Sequence, residues 1–383
     1  MSSGLVVQPG GLLAILGGGQ LGRMTAMAAR TMGYRVRVMD PDVNCPASFV
    51  VDEVVVGKWD DVAAAQRLAT GADAVTLEIE QIGVAALSEV AGLAPLRPGV
   101  EPIRIIQDKI LQKNWLAEHG FPVGAFRVVT SEVELQAALP ELSGKVFLKT
   151  ARGGYDGRGQ WRLGFDGEAA EADVSAAWTG LGSRPAVAEM ALDLDFEISV
   201  MAARSPSGEV RIYPAARNHH ESQILAWSVL PAGISAELEE RARGIARGII
   251  SKLELEGLLC VEMFITHSGE LLVNELAPRP HNSYHQSERA CATSQFEQLV
   301  RTSCNLPLGD TEVLVPAAIV NLLGDVWLDH EPDFAAALAV PGVRVHLYEK
   351  REAREGRKMG HLSATGATGG QALSRVLEAK GRL

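Results

Sequence analysis

Two glutamates face each other in a predicted β-hairpin and could hold a divalent cation. The segment LLCVEMFITHSGELLVNELAPR, residues 258–279, has two largely apolar strands around a predicted turn at Ser268-Gly269. Counting outward from the turn predicts three opposed pairs: Glu262 with Glu275, Met263 with Asn274, and Phe264 with Val273. Opposed carboxylates repel each other at a Cβ separation of about 5 Å, and a cation between them removes the repulsion. We therefore predict a magnesium or manganese site here, although a pair of solvated acids is the simpler alternative.

A glycine-rich segment, KTARGGYDGRGQ at residues 149–160, follows a predicted strand. It lacks the G-K-[ST] of a Walker A motif, but its glycines allow it to close over phosphates or a reacting group. A nucleotide needs cations for its phosphates and an acceptor for its ribose hydroxyls. Lys109, Lys149 and Glu197 are candidates for these roles, although each residue alone is more simply explained as a surface charge.

A second glycine motif, AILGGGQLGRM at residues 14–24, lies between a predicted strand and a predicted helix. The spacing Gly17-x-Gly19-x-x-Gly22 lets a phosphate approach the backbone and the helix N-terminus. Asp40 ends the next predicted strand, about where a dinucleotide fold places its ribose-binding acid. The motif alone leaves two possibilities open: a nicotinamide or flavin site, or a turn that only packs a helix against its sheet.

Composition narrows the class of protein. The chain has 383 residues, which predicts two to four domains, and its net charge of −11 argues against a nucleic-acid partner. The four cysteines have no C-x-x-C spacing, which favours free thiols in a reducing cytoplasm over disulfides or a zinc site. The N-terminal apolar run is too short for a signal sequence or a membrane span, so we expect a cytoplasmic protein without a membrane partner.

Strands and helices alternate in the first third of the chain, which predicts a parallel, doubly wound sheet. Strands are expected at residues 12–16, 34–40, 54–57 and 74–79, and helices at 21–32 and 61–69. A helix is expected at 108–119, with one face formed by Ile110, Leu111, Trp115 and Leu116. Further strands are expected at 121–129, 146–149, 186–189 and 196–203, and a long helix at 236–255.

These pieces, in this order, resemble the ATP-grasp superfamily, and within it the ligases that carboxylate an aminoimidazole ribonucleotide. Seven segments across nearly the whole chain carry the resemblance: GGGQLGRM, DKILQK, GGYDGRGQ, ILAWSVLPA, VEMF, NELAPRPHNSYH and GRKMGH. The resemblance implies a mixed α/β and α+β fold of four parts. These are a Rossmann-like pre-ATP-grasp domain (1–108), a small ATP-grasp lobe acting as a lid (109–189), a large lobe (190–308) and a C-terminal unit packed with it (309–383).

The resemblance also implies a reaction. ATP would activate bicarbonate as carboxyphosphate, and the exocyclic amine of 5-aminoimidazole ribonucleotide would take up the carboxyl group, releasing ADP and phosphate in purine synthesis. A homodimer is the family's habit. Four alternatives remain open at this point: a formate-dependent transformylase, a biotin carboxylase-like enzyme, an NAD-dependent oxidoreductase and a non-catalytic nucleotide-binding protein.

Residue roles follow from the resemblance, position by position. For ATP it implies Lys109, Lys149, Glu189, Glu197, His220 and Asn274, and for the metal Glu262 and Glu275. For catalysis it implies Tyr155, Asp156, Arg158, Arg279 and His281. For the nucleotide substrate it implies Gly19, Gln20, Leu21, Glu78, Tyr155, Asn282, Lys350 and Arg357.

The chain departs from the family pattern at two places. Met190 stands where a lysine is common, and the segment NHHESQ (218–223) fits the family's N-x-H element only in part, with His220 as the better match. Asp40 loses its ribose role under this interpretation, and we expect it to cap the following turn.

Overall fold

The computed structural model describes residues 5–153, 159–165, 167, 169–328 and 330–383. Within them the strands form three sheets, two of four strands and one of nine. No helix in these ranges is both long and apolar enough to cross a bilayer. The four cysteines are free thiols, as predicted.

The first sheet is parallel, with strand order β3-β2-β1-β4. Its elements in chain order are β1 (Leu12–Leu16), α1 (Gln20–Thr31), β2 (Arg35–Asp40), β3 (Glu53–Val56), α2 (Val62–Ala69), β4 (Ala74–Leu77), α3 (Val84–Leu93) and α4 (Val100–Ile106), with a 3₁₀ turn at Pro46–Phe49. β1 is buried along its whole length, as expected of a strand covered by helices on both faces. The parallel doubly wound unit predicted from the sequence is confirmed.

The second sheet is antiparallel, with order β5-β8-β6-β7. Its region comprises α5 (Lys109–Glu118), β5 (Phe126–Val129), α6 (Glu132–Glu141), β6 (Val146–Thr150), β7 (Gln160–Leu163), α7 (Glu171–Gly180) and β8 (Ala186–Met190). Leu135, Leu148 and Val174 belong to one buried cluster between this sheet and its two helices α6 and α7. This small core is separate from the core of the larger sheet.

The third sheet has order β14-β13-β9-β11-β12-β15-β17-β16, with β10 paired to β9. Its strands are β9 (Leu194–Arg204), β10 (Val210–Ile212), β11 (Ala216–Glu221), β12 (Ile224–Leu230), β13 (Gly257–Thr266), β14 (Leu271–Ala277), β15 (Ala317–Leu323), β16 (Val343–Leu347) and β17 (Lys358–Thr365). Its helices are α8 (Ala236–Lys252), α9 (Ser287–Ala290), α10 (Gln295–Ser303), α11 (Phe334–Leu338) and α12 (Gly369–Lys380), with 3₁₀ turns at Asn282–Tyr284 and Gly324–Trp327. The last three strands continue the sheet without a break, because β12 pairs directly with β15.

Helix α5 corrects one sequence prediction. Its buried residues are Gln112, Lys113 and Leu116, whereas Ile110, Leu111 and Trp115 are only partly buried. Gln112 is buried because its side-chain amide donates to the Ile106 carbonyl and accepts from the Leu276 N–H. The buried side of α5 therefore includes polar residues that connect the helix to the β13–β14 hairpin. The spacing of apolar residues in the sequence does not predict which side of this helix is buried.

Candidate active site

The opposed glutamates predicted from the hairpin are confirmed, and the register beyond them is corrected. Glu262 on β13 pairs with Glu275 on β14, but Met263 pairs with Val273 because a β-bulge intervenes. The bulge adds Asn274 to β14, so Asn274 and Glu275 both line the same cleft. Simple alternation would have sent these two neighbours to opposite faces of the sheet.

Each glutamate of the pair is bonded to a cation of the chain. His281 Nε2 lies 3.0 Å from Glu262 Oε1, and Lys109 Nζ donates to Glu275 Oε1 at 2.6 Å. Burial works to raise the pKa of Glu262, but the charges of His281, His220 and Lys109 outweigh it and hold that pKa at about 2. Burial likewise works to lower the pKa of His281, but Cys260 and Glu262 raise it to about 10. Glu262 and His281 therefore form a charged ion pair at neutral pH.

The donor set around the pair fits magnesium. Glu262, Glu275 and the buried side-chain oxygen of Asn274 are hard oxygen donors, and Asn274 Oδ1 has no hydrogen-bond partner among the described residues. A buried amide oxygen without a partner costs free energy, and a cation or a cation-bound water satisfies it. The amino group of Lys109 and the imidazole of His281 stand beside the carboxylates that such an ion would use.

A cluster of lysines surrounds Glu189. Lys149 Nζ donates to Glu189 Oε2 at 2.8 Å, and Lys113 Nζ lies 3.4 Å from Glu189 Oε1. Burial works to raise the pKa of Glu189, but Lys113 and Lys149 hold it at about 2. Burial lowers the pKa of Lys113 and outweighs the effect of Glu189, with Lys149 and Lys109 lowering it further. Lys113 was missed by the sequence analysis, although its spacing of one helical turn from Lys109 was a usable signal.

Glu197 and His220 form the next pair along the cleft. His220 Nδ1 lies 2.7 Å from Glu197 Oε2. A β-bulge between His219 and His220 separates the two histidines, so that His220 lines the cleft and the exposed ring of His219 stacks on Trp227 at 5.0 Å. Burial opposes the charge of His220, but Glu197 raises its pKa. The choice of His220 over His219 made on the sequence thus has a structural basis.

Arg279 meets the first sheet at this cleft. It donates to Glu80 through Nε at 2.5 Å and through Nη2 at 3.0 Å. Glu80 directly follows the strand end that the sequence analysis described, but it was not named there as a site residue. The cleft has a volume of about 550 Å³ and is lined by most of the predicted nucleotide, metal and bicarbonate residues: Lys109, Lys149, Glu189, Glu197, His220, Glu262, Asn274, Glu275, Arg279, His281 and Asn282.

The first glycine turn is closed by a carboxylate of the chain itself. Glu78 accepts three backbone hydrogen bonds, from Gly19 at 2.8 Å, Gly22 at 3.0 Å and Leu21 at 3.1 Å. A Cβ at Gly22 would lie 2.5 Å from the Gly17 carbonyl oxygen, which explains a glycine there. The amides that a dinucleotide pyrophosphate would need are thus engaged, which argues against the oxidoreductase alternative.

Asp40 caps the neighbouring turn, as expected. Its carboxylate accepts from the Gly18 N–H at 3.0 Å and from the Asp42 N–H at 2.9 Å. Because two backbone N–H groups engage this carboxylate, we do not assign Asp40 a role in binding a ribose.

Two residues far apart in the chain meet beside the glycine turn. Lys350 Nζ donates to Gln20 Oε1 at 2.7 Å and to the Lys358 carbonyl at 2.6 Å. Arg357 lies in the same connection between β16 and β17, where its Nη1 donates to the Glu352 carbonyl at 2.9 Å. Lys350 therefore lies beside the glycine turn, the contacts of Arg357 stay near its own connection, and Lys358 lines the cleft itself.

Three of the predicted residues are not described, and a fourth, Asn282, lines the cleft without a side-chain hydrogen bond to any described residue. Tyr155, Asp156 and Arg158 lie outside the described residues. Asn282 is buried, and neither its amide nitrogen nor its amide oxygen has a partner among the described residues. Met190 lines the cleft, and its sulfur accepts a contact from the Ser143 hydroxyl at 3.7 Å.

Three family models match successive parts of the chain. A ribonucleotide synthetase preATP-grasp domain matches residues 12–107, and an ATP-grasp domain matches residues 114–296. A phosphoribosylaminoimidazole carboxylase C-terminal domain matches residues 317–375.

Similar proteins and solved structures agree with these models. An N5-carboxyaminoimidazole ribonucleotide synthase of Brucella melitensis is 41% identical, with 93% of this chain and 97% of the relative covered. One of Bacillus subtilis is 39% identical over 94% of this chain and 92% of the relative. The ADP complex of an N5-carboxyaminoimidazole ribonucleotide synthetase superposes with a TM-score of 0.89, at 40% identity over 98% of this chain and 97% of that one. An Aspergillus clavatus enzyme with ADP and 5-aminoimidazole ribonucleotide gives a TM-score of 0.88, at 31% identity over 98% of this chain and 100% of that one.

Proposed function

We propose how the residues of this chain, which belongs to the N5-carboxyaminoimidazole ribonucleotide synthase family and is an ATP-dependent ligase, divide the work of carboxylating 5-aminoimidazole ribonucleotide. The acceptor of the carboxyl group is that ribonucleotide and its donor is bicarbonate. The observation that carries the proposal is a single cleft in which two opposed glutamates, four lysines and a guanidinium converge. Such a site matches the charge that develops during phosphoryl transfer.

ATP takes the part of the cleft between the second and third sheets. Lys109 and Lys149 hold the phosphates, and Glu197, oriented by His220, accepts from the ribose hydroxyls. Residues 189–192 line the adenine end of the cleft. Because the carboxylate of Glu189 already binds Lys113 and Lys149, we assign it the positioning of these lysines, and the backbone beside it the contact with adenine.

Glu262, Glu275 and Asn274 are the residues that would hold magnesium. When bound, the ion supplies neutralisation of the charge on the transferring phosphoryl group. Lys109 then leaves the carboxylate of Glu275 for an ATP phosphate, and His281 leaves Glu262 for the carboxyl substrate. Each of these side chains now lies within hydrogen-bond distance of the carboxylate that it would leave.

Bicarbonate lies beside Arg279, His281 and Asn282. Glu80 takes the Nε–Nη2 edge of Arg279, which leaves N–H groups on the Nη atoms for an anion. A bicarbonate oxygen attacks the γ-phosphorus, and the bond to the ADP oxygen breaks to give carboxyphosphate. The exocyclic amine then attacks the carboxyl carbon of carboxyphosphate and displaces phosphate, or it adds to the carbon dioxide that forms once phosphate has left. We assign Asp156 the role of accepting the amine proton, and Tyr155 and Arg158 contacts with the substrate and the phosphate.

The ribonucleotide extends from this centre toward the first sheet. Lys350 and Arg357 bind its 5′-phosphate, with Gln20, Gly19 and Leu21 beside them. Glu78 uses three of its four lone-pair positions on the turn and keeps one for the substrate. Because the amides of the turn are engaged, the phosphate depends on the two side-chain cations.

Three broader assignments belong to the same proposal. The domain limits remain 1–108, 109–189, 190–308 and 309–383. The free cysteines fit a reducing cytoplasm. The chain forms a homodimer, which a measurement of molar mass by light scattering tests.

The decisive experiment measures ADP release with bicarbonate and 5-aminoimidazole ribonucleotide, each present or omitted. We expect rapid release only when both are present, and no release when formate replaces bicarbonate. Release with formate, or with biotin in place of the ribonucleotide, would overturn the proposal. Asp156→Ala should reduce turnover far more than ATP binding, and unchanged turnover would remove Asp156 from the mechanism.

A further inference from the structure

Three potential metal ligands meet at the far side of the third sheet, among residues that do not line the cleft. Glu288, His346 and His361 each place one ligand atom within 4.8 Å of the other two. They come from α9, β16 and β17, and the two histidines are directly opposed across the antiparallel β16–β17 pair. Their rings are nearly parallel, with centroids 5.1 Å apart. The register of this strand pair therefore fixes two of the three ligands.

The two imidazoles are prepared to act as ligands. His361 Nδ1 is 2.8 Å from the Tyr348 hydroxyl, which can accept the Nδ1 proton and leave Nε2 with its lone pair. A metal-bound histidine characteristically donates its other N–H to an oxygen in this way. His361 is buried and His346 is half-buried, which disfavours a charged ring at both positions. A neutral imidazole is the form that binds a metal.

The carboxylate of Glu288 lacks a counter-charge. Its side chain is exposed and makes no hydrogen bond or ion pair within 4 Å among the described residues. Arg344 on β16 acts on it only from a longer distance. Arg23 on α1 is a second cation facing the cluster, but it is ion-paired with Glu349 at 3.7 Å. A cation bound between Glu288 and the histidines would supply the missing charge.

We propose that Glu288, His346 and His361 form a second metal site, for a divalent transition ion such as zinc, separate from the magnesium residues of the cleft. Two imidazole nitrogens and one carboxylate oxygen suit zinc, whereas magnesium prefers oxygen ligands. In a tetrahedral site with bonds of about 2.1 Å the ligand atoms lie about 3.4 Å apart, so the three groups must draw together slightly. The exposed Glu288 side chain can make this adjustment, and a water completes the site.

The bound ion would tie α9 to the β16–β17 hairpin. The connection between these strands carries Lys350 and Arg357, and Lys350 lies 5.5 Å from the ring of Tyr348, the residue bonded to His361. The metal therefore stiffens the segment assigned to the substrate phosphate without touching the reacting groups. Its role is structural, and the binding of zinc itself is the property to measure.

The test is direct zinc binding to the full chain, stripped with a chelator and studied without ATP. We expect one equivalent of zinc by calorimetry, and cobalt substitution should give the visible absorption of a low-coordinate site. His346→Gln removes a ligand on an edge strand and should weaken binding by more than about 100-fold, and Glu288→Gln by at least about 10-fold. Arg344→Gln removes an opposing charge and should tighten binding.

Two matched variants keep the test specific. His119→Gln alters an exposed histidine on α5 and should bind zinc like the wild type. Glu262→Gln should also retain the zinc equivalent, because it alters the cleft alone. Absence of zinc from the wild type would overturn the proposal. So would unchanged binding in both His346→Gln and Glu288→Gln, and loss of the equivalent in Glu262→Gln would assign the zinc to the cleft instead.

Discussion

Carboxylates at the glycine turn and at the β13–β14 hairpin are stabilised in different ways. Glu78 is held by three backbone N–H groups, which cannot move unless the turn itself opens. Glu262 and Glu275 are held by the side chains of His281 and Lys109, which can rotate away. Backbone dipoles make a permanent anchor, whereas side-chain cations make an exchangeable one. The hairpin glutamates can therefore exchange their partners for a new ligand, whereas the carboxylate in the glycine turn cannot.

The largest expected effect comes from removing one of the two carboxylates of the Glu262–Glu275 pair. Glu275→Gln removes one of the two opposed carboxylates, so kcat should fall by about 100- to 1000-fold and the magnesium concentration for half-maximal rate should rise. A magnesium titration of ADP release measures both. Glu270→Gln, in the exposed turn of the same hairpin, is the control. An unaltered titration in Glu275→Gln would mean that the pair does not hold the metal.

Removing the Glu78 carboxylate should lower the stability of the fold more than it weakens the binding of ATP. Glu78→Ala leaves three buried N–H groups without an acceptor, which costs about 3 kcal/mol or more of unfolding free energy. Calorimetry should show a lower transition temperature, while the Kd for ATP stays within a few-fold of the wild type. Glu78→Gln keeps an acceptor oxygen and should be less destabilised. Equal stability of Glu78→Ala and the wild type would refute the anchoring role.

The ion pair of His281 with Glu262 predicts a pH dependence of the free protein. The pKa of His281 is raised to about 10, so its contribution to stability is complete below its unfolded pKa of 6.5 and is lost as pH rises toward 10. The pKa of Glu262 is lowered to about 2, so its contribution is present above 4.5 and is lost as pH falls. Denaturant unfolding from pH 6 to 10 should show a decline that is smaller in His281→Gln. Parallel profiles would show that the pair is not coupled.

The smallest effect is expected at Lys113. Lys113→Gln leaves Glu189 bonded to Lys149, so the loss is partial and KM for ATP should rise only a few-fold. KM for the ribonucleotide should not change, because we propose that ATP and not the ribonucleotide occupies the part of the cleft that Lys113 lines. Initial-rate kinetics with each substrate varied separates the two constants. A larger effect on the ribonucleotide than on ATP would contradict this placement.

The sequence predicted the site best where spacing alone fixes geometry. Glu262 opposite Glu275 follows from counting along a hairpin, and the bulge at Asn274 does not, because an added residue leaves no periodic trace. Lys113 was missed because a buried lysine is stable only when its partner Glu189 arrives from a distant strand. The resemblance named Glu78 as a substrate contact, but its bonds to the glycine turn did not follow from the sequence, since a strand end reveals no hydrogen-bond partners. Fold and family were predictable because their motifs span nearly the whole chain.

The unbroken third sheet has a consequence for dissecting the molecule. The C-terminal segment matched at residues 317–375 supplies β15, β17 and β16, and β15 shares a ladder with β12 of the preceding region. Cutting the chain at residue 308 would leave β12 as a bare sheet edge, open to pairing with other copies. The family's C-terminal unit is thus distinct in descent but not in architecture. Chimaeras between relatives should have their crossover points outside the β12–β15 strand pair. A boundary taken from the family match alone would separate these two strands.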